Sequence, residues 1–220
     1  MMNVSETENL KPFCKIIIFY LLLVVAIILL PGKLPYEIVR ENGPVEALSA
    51  VGYLLFCLFI FYFNLKGIIR TSFAPGFFIL LLGLRELDFH AKFTTMGMFK
   101  SRFFISPEVP LVEKTIVTIF VIGLIIYAVT FLRRILPDYK KAFLAKRPWA
   151  VSTACAVGCV VISKLLDGNS DIYNFLLPMF EETKTLARTV EECLELLIPL
   201  FFIRSLLQYS LDSVKGRLLA

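Results

Sequence analysis

Arg85, Glu86, Asp88 and His90 stand together at the end of an otherwise apolar run. On a helix Arg85 and Asp88 (i, i+3) share one face, and Glu86 and His90 (i, i+4) share another. Three further apolar runs carry ionisable residues at an end. Lys164 and Asp167 close one, with Ser163 aligned beside them. Glu46 opens another, with Ser49 about one turn on. Glu191, Glu192 and Glu195 open the last, where Arg188, Glu192 and Glu195 fall on one helical stripe. Carboxylates beside cations in apolar surroundings serve general acid–base catalysis, proton or ion passage, or structural ion pairing. The candidate catalytic residues are therefore Glu86, Asp88, Glu192, Glu195, Asp167 and Glu46. The candidate binding residues are Arg85, Lys164, His90, Lys100 and Arg102, of which the four Lys and Arg suit a phosphate.

Other chemistries lack their residues. There is no HExxH, GxSxG, P-loop or GxGxxG signature. His90 is the only histidine, so a zinc site built from several histidines is excluded. The cysteines Cys14, Cys57, Cys155, Cys159 and Cys193 make no CxxC pair, and they read as small apolar residues. No metal and no cofactor is expected.

The elements that position these residues follow from composition. Of 220 residues, 58% are hydrophobic and 19% charged, with 21 Phe and a mean hydropathy of +0.78. Soluble domains average roughly 45–50% and about 25%. The reading is an all-α polytopic transmembrane helical bundle, a single integral-membrane domain over residues 1–220. About six spans are expected, at Phe13–Leu30, Val45–Phe63, Phe73–Phe89, Leu111–Leu132, Trp149–Leu166 and Val190–Leu207. Pro, Gly and Asn punctuate the gaps. The third span holds only a short uninterrupted apolar stretch before Arg85, so it is expected to be short or re-entrant. The first lacks a small-x-small cleavage pattern and reads as an uncleaved helix.

With both ends cytoplasmic, the inside segments are Met1–Lys15, Asn64–Ser72, Arg133–Pro148 and Arg204–Ala220. They hold 13 Lys and Arg against 4 Asp and Glu, a net of +9, and the rest of the chain holds 10 against 14, a net of −4. The positive-inside rule favours this orientation, in an inner or plasma membrane. The intramembrane acids then all reach the non-cytoplasmic face, although each costs roughly 2.5–3.5 kcal/mol near mid-membrane. Glu113 and Lys114, at a helix start, read as interfacial and solvated. The segments 91–104 and 173–180, rich in Phe and Met, are expected to lie on the membrane over the cluster.

The expected partners are membrane lipid and either a protein partner or a second copy. Nucleic acid is not expected, because the basic segment Arg133–Arg147 reads as a topology signal facing anionic lipid. Three functional classes remain: a membrane subunit or interaction protein, an enzyme or binding protein for lipid-linked or phosphate-bearing substrates at the outer leaflet, and a small-solute or proton-coupled transporter. The first requires least of the sequence. The cytoplasmic halves of the spans read as almost purely apolar, which argues against a conducting path through one protomer.

Overall fold

Prolines set the starts of the helices. Pro35, Pro44, Pro75 and Pro148 each fall in a first turn, where a missing N–H costs no hydrogen bond. The computed structural model describes residues 4–40, 43–69, 73–87, 89, 94–95, 101–167 and 181–218. Every regular element among them is a helix: α1 (Val4–Ile28), α2 (Leu34–Val39), α3 (Pro44–Leu65), α4 (Ala74–Glu86), α5 (Ser101–Ile105), α6 (Leu111–Leu144), α7 (Pro148–Asp167) and α8 (Glu181–Leu218).

Three stretches are long and apolar enough to cross a membrane: Leu34–Leu65, which includes α2 and α3, then Leu111–Leu144 and Pro148–Leu166. They point to a membrane protein. The remaining expected spans differ from these. Among the described residues α1 contributes a shorter apolar helix, Cys14–Ile28. α4 has 13 residues, about 20 Å at 1.5 Å per residue, so it is short as expected. α8 runs for 38 residues, with charged outer turns and a middle that is mostly buried among the other helices. The helix ends also differ from the sequence reading. α6 continues twelve residues beyond Leu132, through Pro137 to Leu144. Pro137 removes the donor for the carbonyl of Arg133, and that end of the helix is exposed, so the loss is tolerated.

α8 is the centre of the bundle. Residues 195–199 are buried in succession, so no face of this segment is open. On α3 the buried residues Val45, Ser49, Tyr53, Phe56 and Ile60 recur every three or four positions, giving one stripe toward α4 and α8. Tyr53, Phe56, Ile60, Ile79, Ala156, Cys159, Leu197, Ile198 and Phe201 make the main core. A second core joins Val24, Ile27, Val39 and Val45 to Cys193 and Leu196. α6 is the opposite case: its buried residue is Val117, while Leu111, Val112, Ile116 and Ile119 are each more than 60% exposed. A long helix that is apolar all round and barely packed suits a position facing lipid or another protein within the membrane.

Small residues permit the closest approaches. A Cβ at Gly52 would lie 2.9 Å from Pro199 of α8, one at Gly83 would lie 2.8 Å from Cβ of Tyr53, and one at Gly76 would lie 3.0 Å from Ile60. Small residues at helix contacts are the usual means of bringing transmembrane backbones together. These pairs also fix direction. Gly83 with Tyr53 and Gly76 with Ile60 make α4 antiparallel to α3, while Gly52 with Pro199 and Phe56 with Phe202 make α8 run parallel to α3. Ser163 with Glu195 and Ser152 with Gln208 make α7 antiparallel to α8. Ala145–Arg147 form the tight turn from α6 into α7, with Lys146 at φ 53° and bonds from Lys146 N to Phe143 O and from Arg147 N to Ala142 O, both 2.9 Å.

Candidate functional site

Arg85 and Glu86 end α4, Ser163 and Lys164 lie in the last turn of α7, and Glu195 lies one turn before Pro199 in α8. The helix directions bring the ends of α4 and α7 to the level of Glu195, beside Tyr53 of α3. Nη2 of Arg85 donates to Oε1 of Glu86 at 2.9 Å and to Oε1 of Glu195 at 3.2 Å. Oγ of Ser163 donates to the same Glu195 oxygen at 2.6 Å. The Glu86 and Glu195 side chains are 5% and 10% exposed and that of Arg85 is 31% exposed, so the carboxylates are inside and the guanidinium reaches outward. Beside them is a cavity of about 10 Å³, lined by Tyr53, Arg85, Glu86, Ser163, Lys164 and Glu195 on its polar side and by Leu82, Val160 and Ile198 on its apolar side. Two acids and two bases therefore surround one small space. Their formal charges balance.

Pro199 contributes through what it lacks. Without an N–H it leaves the carbonyl of Glu195 without its usual backbone donor, while α8 continues through it as a helix.

Glu192 does not line this cavity. It faces Arg188, whose Nε lies 3.9 Å from its Oε1 and donates to the carbonyl of Val39 in α2 at 3.0 Å. One residue stripe on α8 thus divides between two neighbourhoods. Glu46 at the start of α3 interacts electrostatically with both Glu86 and Glu192 and so lies near each. Asp88, His90 and Lys100 lie outside the described residues, as do most of the segments 91–104 and 173–180; at Arg102 and Asp167 only the helical backbone is described. Among the described residues no group of three or more His, Cys, Asp or Glu is placed to hold a metal ion.

Two features go beyond the sequence reading. Glu113, read there as solvated, accepts two 2.7 Å bonds from Thr95, one from the backbone N and one from the hydroxyl, and so ties residues 94–95 to the start of α6. Phe103 of α5 is fully buried against Val109 and Val117 nearby.

The second feature lies toward the other end of the α7–α8 contact, which is not purely apolar. Nε of Arg204 donates to Oγ of Ser152 at 3.2 Å, and that hydroxyl donates to Oε1 of Gln208 at 2.7 Å. The Thr153 and Ser205 hydroxyls lie 2.7 Å apart, and Ser205 also donates to the carbonyl of Trp149 at 2.9 Å. Ala156, Cys159, Ile198 and Phe201 separate the two polar networks. From Glu195 to Arg204 is about 14 Å along the helix. The signal was the i, i+4 pair Arg204 and Gln208 opposite Ser152, with Ser205 opposite Thr153, small polar residues that hydropathy averages conceal.

The chain has no significant match among protein-family models, curated proteins or solved structures.

Proposed function

We propose that this is a multi-pass membrane protein of six crossings, with both ends cytoplasmic, that serves as a non-catalytic membrane subunit or interaction protein. In this reading the Arg85–Glu86–Glu195–Ser163 network locks α4, α7 and α8 together. One observation carries it: the guanidinium of Arg85 is already taken up by two carboxylates, and the space beside them admits about one water molecule. A lipid headgroup or a solute would need far more room, since ligand pockets run to roughly 300–1,000 Å³.

The six crossings are supported by the alternation of helix directions and by the segregation of charge. Reporter fusions at Ala220 and at Thr94 are expected to give opposite signals. Equal signals end the topology proposal. For the subunit role, the protein extracted in mild detergent is expected to migrate in an assembly larger than its own 25.0 kDa chain. Substitutions on the exposed face of α6, such as Ile119→Ser, should shrink that assembly without lowering the melting temperature of the chain. Migration as a single chain from the outset ends the subunit reading.

The partial exposure of Arg85 and the exposure of Lys164 favour a second reading, a site for lipid-linked or phosphate-bearing substrates. Under it, Glu86→Gln abolishes a cellular activity while melting stays unchanged. The transport reading needs the Glu86–Glu195 cluster joined to the Arg204 network, and the apolar layer at Phe201 interrupts that path.

A further inference from the structure

Tyr53 is among the most completely buried large side chains in the protein, at 1% exposure. It lines the cavity between the acids and bases, with Glu86, Glu195 and Arg85 as its electrostatic neighbours. Yet its hydroxyl makes no hydrogen bond to any described residue. A buried phenol usually finds a partner, because an unmet donor loses its hydration with nothing in return. The space beside it is about 10 Å³, the lower bound for holding one water, and its polar wall supplies far more than the two to four partners that a buried water needs.

We infer that this cavity is a binding site for a single resident water, which accepts from the Tyr53 hydroxyl and donates to the carboxylates of Glu86 and Glu195. The inference rests on reading the cluster as a lock, and it extends that lock to a fourth helix, α3. The dry alternative is a void with an orphan hydroxyl at its edge. Its chemistry predicts the opposite response to one substitution.

Tyr53→Phe removes the hydroxyl and little else. With a water in place, the substitution strips that water of a donor, and the melting temperature of the detergent-solubilised protein falls by several degrees. With a dry cavity, it removes an unsatisfied group, and the melting temperature holds or rises. X-ray radiolytic footprinting supplies an independent reading, because radicals formed from a bound water oxidise the side chain it touches. Tyr53 is expected to be labelled despite its burial, while the equally buried Phe103 stays unlabelled. An unchanged or higher melting temperature for Tyr53→Phe, or an unlabelled Tyr53, overturns the proposal. Failure of the lock itself would show elsewhere, in a Ser163→Ala protein that melts like the parent.

Discussion

Ser163 donates a 2.6 Å hydrogen bond to Oε1 of Glu195, joining the last turn of α7 to the middle of α8. Both residues are buried, at 1% and 8% exposure. A hydrogen bond to a carboxylate contributes about 1.5–3 kcal/mol, more than a neutral one. Ser163→Ala is expected to destabilise by about that amount, with a lower melting temperature and earlier dissociation in detergent. Ser163→Thr keeps the hydroxyl and should recover part of the loss. A melting curve for Ser163→Ala that overlays the parent would show that the bond carries no stability.

The same substitution should have opposite effects at two glycines. At Gly52 a methyl group would meet Cβ and Cγ of Pro199 at 2.9 Å, and the proline ring is buried and cannot rotate away. Gly52→Ala is expected to push α3 from α8, at a cost of about 1–3 kcal/mol as for other overpacked contacts. At Gly123 on α6 a methyl group meets nothing within 4 Å. Alanine is the better helix former by about 0.8–1.0 kcal/mol, so Gly123→Ala should be neutral or stabilising. Thermal melts of the two proteins, side by side, test the pair.

Lys146 holds φ at 53° in the turn between α6 and α7, a left-handed conformation that a side chain disfavours by about 1 kcal/mol. It is exposed. Lys146→Gly is expected to raise the melting temperature, and Lys146→Val, branched at Cβ, to lower it. Equal melting for both would mean that the turn relaxes to another conformation.

How much of this was legible depends on the residue. Arg85, Glu86, Lys164 and Glu195 stood out because charge in an apolar run is expensive, and alternating directions of the runs carry the closing ends of two and the opening end of the third to one side. What spacing cannot supply is azimuth. Glu192 and Glu195 share a stripe, yet Glu192 pairs with Arg188, which reaches α2, while α4 and α7 claim Glu195, because neighbouring helices divide the circumference of α8. Tyr53 gave no signal, since a tyrosine in an apolar run looks like any aromatic core residue. The length of α8 was hidden for a related reason: charged residues such as Glu181, Glu182, Lys184, Asp212, Lys215 and Arg217 fill its outer turns and lower its hydropathy below that of α6. Glu113 reads as solvated and its bonds to Thr95 are exposed, but the partner itself could not be foreseen, being eighteen residues away and outside any helical periodicity.

Arg85 is the test of whether the cluster exists for stability or for something else. It is the cation bonded to both Glu86 and Glu195. Arg85→Ala leaves two nearly buried carboxylates without it, and removal of one partner from a buried pair costs about 3–5 kcal/mol. Such a protein is expected to insert poorly and melt far below the parent. The companion variant carries Arg85→Met, Glu86→Gln and Glu195→Gln together, which removes the charges while nearly preserving volume. Replacement of a whole buried ion cluster by neutral or apolar groups is often neutral or even stabilising. The triple variant should therefore melt near the parent, and under the subunit reading it should also assemble normally. If it melts like the parent but its cells lose a function that assembly does not explain, the charges serve chemistry instead, and the enzyme reading displaces the lock. A triple variant that melts as low as Arg85→Ala would instead show that the bundle depends on these charges for its packing, with no neutral arrangement able to replace them.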